Sequence, residues 1–287
     1  MPLLDPARLK SVLGPVAGRF AVTALAECDS TSSELMRRAD AGAVSGSVVV
    51  ADRQTAGRGR RGRTWLSAPA SSLTFSLLWR FNLLPGQLAG LSLAVGVALA
   101  RGLERLGARS VRLKWPNDIL LETDGEYAKL AGILVELVTD RQGAQAIIGI
   151  GLNLQPPAEA LPQPAAGLAQ AMLQLAERHG VLAAILQELA VVLDAFAVDG
   201  FSGVKTDWQK RHAWQDCAVC LLGDGGVTLE GVCAGVDDDG ALLLETGGGI
   251  RRIISGDVSL RPVPPGGLLR GAGDGASGSS TLGVRRA

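Results

Sequence analysis

The chain has 287 residues and a formal net charge of zero at pH 7, from 28 basic and 28 acidic side chains. A neutral chain lacks the overall basic field that attracts nucleic acid or anionic membranes, so any basic site must be local. Hydrophobic residues make up 47% of the sequence, which is typical of a globular protein with a buried core. The sequence shows no secretory signal at its start and no apolar run of the roughly 20 residues that a membrane span needs. Four cysteines in a chain of this length predict no disulfide scaffold, so we expect a cytoplasmic protein.

The first half of the chain predicts a sheet with helices. Alternating or continuous runs of apolar and β-branched residues predict strands over 20–26, 45–52, 71–81, 110–121, 129–138 and 145–154. After the first strand, Thr31 and Glu34 fit the T-x-x-E capping box of a helix, and Gly42 fits its C-terminal end. Apolar residues at helical spacing predict a second helix over 87–106, and a turn is expected at Asp124-Gly125.

The second half of the chain differs in composition. Residues 155–167 are a proline-broken loop, and a long helical segment is predicted from Ala169 to Phe196. From Asp216 onwards, short β runs are split by Gly-Asp turns about every ten residues, which predicts a small β-barrel. The tail from Pro264 is rich in glycine and serine and is predicted to be disordered. These elements indicate an α+β protein in three parts, residues 1–214, 215–263 and 264–287.

The segment 56–65, AGRGRRGRTW, has glycines in G-x-G-x-x-G spacing among four arginines. A dinucleotide-binding turn would need a helix after the glycines, whereas the sequence continues with a proline and then a strand. A nucleic-acid site would need a wider basic surface and stacking aromatics, but aromatics are only 4% of the chain. A plain charged loop would not need glycine at every second or third position. Glycines and arginines together let backbone N–H groups and guanidinium groups reach one polyanion, which favours a phosphate-bearing small molecule.

Three further stretches carry polar residues at strand ends. The sequence KWPND, 114–118, is either an anion site around a proline turn or an edge strand that ends in an Asn-Asp turn. Lys129 begins an apolar strand, and its amine either extends to solvent or faces an anion. The sequence GIGLNL, 149–154, lacks the G-K-[ST] continuation of a Walker loop, so its glycines are expected to permit close approach of a ligand or strand.

Hydrolytic and zinc sites are not favoured. Neither of the two histidines, His179 and His212, lies near a plausible Ser or Cys nucleophile with an orienting acid, so a hydrolytic triad is not expected. Cys217 and Cys220 resemble half of a zinc knuckle, which Cys233 and His212 would complete only at irregular spacing. The cysteines are better explained as small apolar residues of the barrel.

Six blocks in order, CDSTS, RQTAGRGRRGRTW, SLTFSLLWR, VRLKWPNDIL, KLAGILVE and IGIGLNL, resemble the catalytic domain of biotin–protein ligases. The blocks run from about Ala21 to Asn153, and GALLLE and SGDVSLR resemble the small C-terminal barrel of that family. The resemblance implies a mixed or antiparallel sheet with helices, like that of class II aminoacyl-tRNA synthetases, plus an SH3-like barrel. It also implies two reactions: biotin and ATP form biotinyl-5′-AMP, and a lysine of a biotin carboxyl carrier protein then accepts the biotin.

The resemblance assigns roles to residues at matching positions. It implies that biotin is bound by Ser30, Thr31, Ser32, Gln54, Gly57, Arg58, Gly59, Arg60, Lys129 and Gly132. It implies that ATP is bound by Arg58, Arg60, Arg61, Arg63, Trp65, Lys114, Asn117 and Asn153. Lys129, Arg60 and Asp118 are the expected catalytic residues, with Asp118 a candidate base for the second step. Mg²⁺ is expected to enter with the ATP phosphates, with Asp118 as a candidate ligand, and no permanently bound cofactor is expected.

Two departures from the family pattern affect these expectations. Many members read S-T-N where this chain has Ser30-Thr31-Ser32, which leaves the role of the third side chain open. Bifunctional members carry an N-terminal DNA-binding domain, for which the residues before CDST are too few, so no repressor activity is expected. We expect a monomer or homodimer that binds no nucleic acid and no membrane. The alternatives are a lipoate–protein ligase and, in a different class, a nucleic-acid-binding module.

Overall fold

The computed structural model describes residues 2–140, 143–159, 161, 163–223, 226–254 and 259–263. Seven strands form one mixed sheet: β1 (Ala21–Cys28), β2 (Ser47–Gln54), β3 (Ser72–Phe81), β4 (Val111–Lys114), β5 (Asp118–Thr123), β6 (Glu126–Asp140) and β7 (Gly143–Asn153). Their order in the sheet is β1-β2-β3-β7-β6-β5-β4. Strand β1 runs parallel to β2, and the other neighbouring strands are antiparallel. The α+β class and the six predicted strand regions are confirmed; the region 110–121 is split into β4 and β5 by the proline turn.

Helices cover the two faces of this sheet unequally. They are α1 (Pro6–Leu13), α2 (Thr31–Asp40), α3 (Leu91–Arg105), α4 (Arg178–Asp199) and α5 (Ser202–Arg211). Helices α3 and α4 pack on one face and form the main core with it, while α2 packs on the other face over β2, β3 and β7. Under α2, Leu35 contacts a small apolar cluster. The rest of the α2 face is left for the loops that follow β2 and β7.

Strand β3 shows why each face of the sheet has its own chemistry. Side chains alternate along a strand, so every second residue faces the same side. Leu73, Phe75 and Leu77 are buried in the main core, whereas Thr74 and Ser76 face the side of α2. The apolar residues therefore anchor the strand against the helices, and the hydroxyl residues are left for the opposite face.

Two helical segments, Pro85–Arg105 and Arg178–Asp199, are long and apolar enough to cross a membrane by length and composition alone. Most of each segment is buried inside the protein, and α3 packs along α4. Their apolar character is accounted for by the core that they form with the sheet.

A second sheet contains five antiparallel strands: β8 (Ala218–Gly223), β9 (Gly226–Val236), β10 (Leu242–Thr246), β11 (Gly249–Ile253) and β12 (Ser259–Pro262). Their order in the sheet is β11-β10-β9-β8-β12. Among the described residues no strand pairing joins β11 to β12, so barrel closure stays a prediction. The indole of Trp115 donates to the carbonyl of Gly240 at 3.1 Å, which ties the KWPND turn to this sheet.

Two local predictions are wrong. Helix α2 begins after Ser30 with no side-chain cap bond, because the Thr31 hydroxyl bonds to Gln54 and Ser76 instead. The predicted helix from Ala169 begins only at Arg178. In the intervening segment, the carbonyl of Ala171 accepts from the Arg109 backbone, so a tertiary bond takes the place of a helical one. The tail 264–287 lies outside the described residues.

Two other local predictions are confirmed. Gly42 follows the end of α2 with φ +90°, a conformation that glycine adopts without steric cost. Asp124 and Gly125 form the β5–β6 turn, both with positive φ.

Candidate active site

A pair of glycines opens the sheet face beside α2. Gly132 on β6 and Gly151 on β7 are cross-strand partners, and Asp118 on β5 is the next partner across the sheet. Between Ile119 and Leu120 the β5–β6 pairing shifts by one residue. Such a bulge redirects the side chains after it. It brings the Lys129 amine to the same face as Gly132, where a Cβ on Gly132 would lie 3.2 Å from Lys129 Nζ.

Asp118 forms a cluster of three charges with the ammonium groups of Lys129 and Lys114. Its Oδ1 lies 2.6 Å from Lys129 Nζ, and its Oδ2 lies 3.3 Å from Lys114 Nζ. Burial alone would raise the pKa of Asp118, but the two ammonium groups outweigh it and hold the pKa below its ordinary value. Burial lowers the pKa of Lys114 to about 8, against the opposing effect of Asp118. The cluster carries one more positive than negative charge when both lysines are protonated, which suits an anionic ligand.

The KWPND turn and the loop after β7 fix this cluster in place. Asn117 donates its amide to the Ile133 carbonyl at 2.7 Å and accepts from Arg60 Nη1 at 3.3 Å. The backbone of Lys129 bonds to Pro164 and Ala166, and the Asn153 amide donates to the Ala166 carbonyl at 3.1 Å. Asn153 therefore holds the proline loop beside Lys129.

The glycine-arginine loop folds over the same sheet face as a short hairpin. The backbone N–H of Trp65 donates to Gly57, and that of Gly59 donates to Arg63. Arg58 forms an ion pair with Glu136 on β6. A short 3₁₀ turn, Arg60–Gly62, takes the place of the helix that a dinucleotide-binding fold would need, so the rejection of that fold is confirmed.

The glycines of this hairpin and its third and last arginines, Arg61 and Arg63, complete the geometry. A Cβ on Gly57 would lie 2.3 Å from the Trp65 carbonyl, and one on Gly59 would lie 3.2 Å from the Arg63 carbonyl. Arg61 has a positive φ of 60° in the 3₁₀ turn, while Arg63 is exposed. Gly57 is therefore required for the two strands of the hairpin to approach each other, and a Cβ at Gly59 would be a tight fit.

Trp65 lies directly on the glycine pair. A Cβ on Gly151 would be 2.2 Å from Cε2 of Trp65, and one on Gly132 would be 3.3 Å from Cζ3. The Lys129 amine lies 5.7 Å from the centre of the indole ring. The indole N–H is buried without a hydrogen-bond partner among the described residues. A buried donor of this kind points to an acceptor that a ligand would supply.

A second cluster, formed by hydroxyl and amide groups, lies at the start of α2. Ser30, Thr31 and Ser32 are buried there, and Gln54 Oε1 accepts from the Thr31 backbone N–H at 2.7 Å. The Thr31 hydroxyl donates to the same oxygen at 3.2 Å. Gln54 Nε2 lies beside Gly57, because a Cβ on Gly57 would be 2.9 Å from it.

The two clusters share one face of the sheet. Ser76 pairs with Gly149 across β3 and β7, Gly149 lies two residues before Gly151, and Gly151 pairs with Gly132, beside which the Lys129 amine lies. Those steps separate the clusters by about 12 Å. The site can therefore hold a small molecule with a neutral polar group at one end and an anion at the other.

Three residues near the clusters were not expected from the sequence. Ser76 joins the hydroxyl cluster, Glu136 binds Arg58, and Arg261 from the second sheet is close enough to Asp118 and Arg63 to be affected by their charges. All three depend on strand pairing or on contact between the two sheets. Only the alternation of β3 could have indicated Ser76 as a polar residue on the α2 face.

The described residues contain no group of three or more His, Cys, Asp and Glu side chains that could hold a metal ion. His212 is buried with Nδ1 3.7 Å from Cys233 Sγ, and burial lowers its pKa to about 4. Cys217 is exposed and bonds to the Gln215 carbonyl instead of joining this pair. The zinc hypothesis therefore finds no support in this part of the chain.

Comparisons with known proteins agree with this site. Residues 27–153 match the Biotin/lipoate A/B protein ligase family, and residues 215–261 match the Biotin protein ligase C terminal domain. The bifunctional ligase/repressor BirA of Escherichia coli is 37% identical over 257 residues, which are 88% of this chain and 77% of the relative. The biotin–[acetyl-CoA-carboxylase] ligase of Mycobacterium tuberculosis is 31% identical over 263 residues, 90% of this chain and 96% of the relative.

A solved structure extends the comparison to three dimensions. The biotin protein ligase from Aquifex aeolicus in complex with biotin and ATP superposes with a TM-score of 0.70 at 32% identity, over 84% of this chain and 98% of that one. A family match over 27–153, relatives above 30% identity along most of both chains and a common fold all agree. The chain belongs to the biotin protein ligase family.

Proposed function

We propose that the protein is an ATP-dependent biotin–protein ligase that forms biotinyl-5′-AMP and transfers biotin to a lysine of a carrier protein. The observation that carries this proposal is the pair of clusters on one sheet face. The hydroxyl and amide cluster suits the ureido ring of biotin, which has one acceptor and two donors. The lysine cluster, about 12 Å away, suits the carboxylate of biotin and the phosphates of ATP.

In the first reaction the biotin carboxylate attacks the α-phosphorus of ATP and pyrophosphate leaves. Repulsion between the two anions is the main obstacle, and the Lys129 amine lies where it can neutralise both. Arg60, which contacts Asn117, would add a second positive charge from the loop side. No base is required, because the attacking group is already ionised.

Asp118 is proposed to hold the two lysines in position. Both of its carboxylate oxygens are engaged by ammonium groups. A carboxylate with a lowered pKa is a poor proton acceptor, which argues against Asp118 as the base of the second reaction. Because both carboxylate oxygens of Asp118 are already paired with ammonium groups, Asp118 does not fit a magnesium ligand, and we propose that Mg²⁺ enters as part of the ATP substrate, held by its phosphates.

The adenine and triphosphate are proposed to lie between the loop and the proline segment. Trp65 supplies a ring face and a buried N–H, and Asn153 fixes the neighbouring loop. Arg61 and Arg63 would contact the phosphates from the loop. Arg58 and Glu136 lie at the edge of the site, where they form an ion pair. We propose that Arg58 breaks this ion pair, or contacts Glu136 and biotin together, when biotin binds.

The carrier is proposed to be the biotin carboxyl carrier protein of acetyl-CoA carboxylase, because the relatives from Mycobacterium tuberculosis and Paracoccus denitrificans are named for that enzyme. We also propose a cytoplasmic location, an SH3-like barrel for the second sheet and the domain limits 1–214 and 215–263. The oligomeric state, monomer or homodimer, stays a prediction.

Biotin-dependent exchange of labelled pyrophosphate into ATP tests the proposal. We expect exchange with biotin, and none with lipoate or without an acid. Exchange with lipoate alone would identify a lipoate ligase, and no exchange with either acid would contradict the acyl-adenylate chemistry. Transfer of biotin to a purified carrier domain, detected by mass, tests the second reaction.

A further inference from the structure

Ser76 lies fully buried at the centre of β3, and its hydroxyl contacts the start of α2. Its Oγ is 2.8 Å from Thr31 Oγ1 and 3.0 Å from Ser32 Oγ. Buried hydroxyl groups are costly unless they are hydrogen-bonded, so a hydroxyl at this depth needs both partners. Ser76 on β3 therefore links two residues of α2, Thr31 and Ser32, that the sequence resemblance associates with biotin.

The direction of each hydrogen bond in this cluster can be deduced. The Thr31 backbone N–H can only donate, so the Gln54 atom that it contacts at 2.7 Å is the amide oxygen. The single proton of the Thr31 hydroxyl goes to the same oxygen, and Thr31 Oγ1 must then accept from Ser76. The Ser76 hydroxyl has one proton and therefore donates its single hydrogen bond to Thr31.

The same count of hydroxyl protons fixes the role of Ser32. With its own proton committed, Ser76 Oγ must accept from the hydroxyl of Ser32 at 3.0 Å. The resulting relay runs from Ser32 through Ser76 and Thr31 to Gln54. Packing holds Ser32 against β7, because a Cβ on Gly149 would lie only 2.6 Å from its Oγ.

The Thr31 backbone N–H and the hydroxyl at the end of the relay together fix the orientation of the Gln54 amide. Two hydrogen bonds hold its oxygen towards α2, so its Nε2 faces Gly57 at the base of the glycine-arginine loop. An amide held in this way presents donors to a ligand acceptor without first losing rotational freedom. If Ser76 lost its hydroxyl, Thr31 Oγ1 would lose its donor and could rotate away from Gln54.

We propose that Ser76 is a positioning residue for biotin recognition, which acts by holding Thr31 and, through it, Gln54. Ser32 contributes only through its hydrogen bond to Ser76. The inference rests on the proposed function, because it concerns the ring-binding end of that site. It also gives a role to Ser32, whose hydroxyl donates to Ser76.

The test measures pyrophosphate exchange with wild type, Ser76→Ala, Ser32→Ala and the double variant. For Ser76→Ala we expect the KM for biotin to rise about tenfold, as for the loss of one hydrogen bond at the ligand, while the KM for ATP changes by less than about twofold. The double variant should match Ser76→Ala, because Ser32 acts only through Ser76. If Ser76→Ala does not fold, Ser76→Cys takes its place and must give the same selective rise.

Thr23→Val is the matched control. Thr23 accepts from Arg38 at 2.8 Å and so also ties α2 to the sheet, but outside the relay. We expect it to leave the KM for biotin unchanged. An unchanged KM for biotin in Ser76→Ala, equal rises for biotin and ATP, or additive effects of the two serine variants would overturn the inference. Absence of exchange in the wild type would instead overturn the proposed function.

Discussion

Lys114 shows how burial of a single residue sets a pH range for function. Its side chain is only 6% exposed, and burial lowers its pKa to about 8. Above that pH the amine becomes neutral and no longer attracts the ATP phosphates. We therefore expect the KM for ATP in pyrophosphate exchange to rise between pH 7 and pH 9, by about tenfold, while the KM for biotin changes less.

Lys114→Arg provides the comparison, since a guanidinium stays protonated over this range. In that variant the rise above pH 8 should disappear. A wild-type KM for ATP that is flat to pH 9.5 would contradict a role for the Lys114 charge.

The lowered pKa of Lys114 also affects the stability of the fold. Between pH 8 and 10.5 the unfolded chain binds more protons than the folded one, so the stability cost of burying Lys114 falls as the pH rises.

At the scale of elements, the glycine-arginine loop is proposed to retain the adenylate. Arg60 connects the loop to the KWPND turn through Asn117. Arg60→Ala should weaken that closure, so biotinyl-AMP should escape and label lysines of a bystander protein such as albumin. We expect at least a tenfold increase in bystander labelling, equivalent to about 1.4 kcal/mol of lost retention. Arg53→Ala, which removes an exposed arginine paired with Glu27, is the control and should leave bystander labelling unchanged.

Strand β7 carries a glycine that a larger residue cannot replace. A Cβ at Gly151 would lie within 2.6 Å of three atoms of Trp65. Gly151→Ala must displace the indole or distort the sheet, and we expect it to lower the melting temperature and to raise the KM for both substrates. Gly180→Ala in α4 is the matched control, because a Cβ there meets nothing within 4 Å, and it should stabilise by about 0.5 kcal/mol. Wild-type kinetics in the Gly151→Ala variant would mean that substrate binding does not depend on the close contact between Trp65 and Gly151.

The elements also show what a sequence can predict. Runs of β-forming residues indicated all six strand regions. This pattern can be predicted because strands such as β3 and β7 need apolar residues to face the core, whichever helices cover it. The T-x-x-E pattern at Thr31 failed, since a local cap competes with partners from β2 and β3 that only the folded sheet supplies. Ser76 was missed for the same reason. The role of Ser76 depends on which helix lies over β3, and the local sequence pattern predicts neither that helix nor the order of the strands.

At the scale of the whole molecule, an arginine of the second sheet reaches the charge cluster of the first. Arg261 on β12 bonds to Gln163 of the proline loop at 3.3 Å. Burial and the charge of Arg63 lower its pKa, and Asp118 opposes them. We therefore propose that the second sheet supplies a positive charge near the phosphate side of the site, so that the two sheets act together in binding ATP.

Arg261→Ala tests this contribution directly. We expect the KM for ATP to rise about tenfold, as for the loss of one charge-assisted hydrogen bond, while the KM for biotin stays close to wild type. Arg251→Ala, an exposed arginine on β11 of the same sheet, is the control and should change neither value. If both variants behave alike, the second sheet supplies no specific charge to the site. If only Arg261→Ala affects ATP, the nucleotide site is completed by residues from both sheets, and separating them should impair adenylation more than biotin binding.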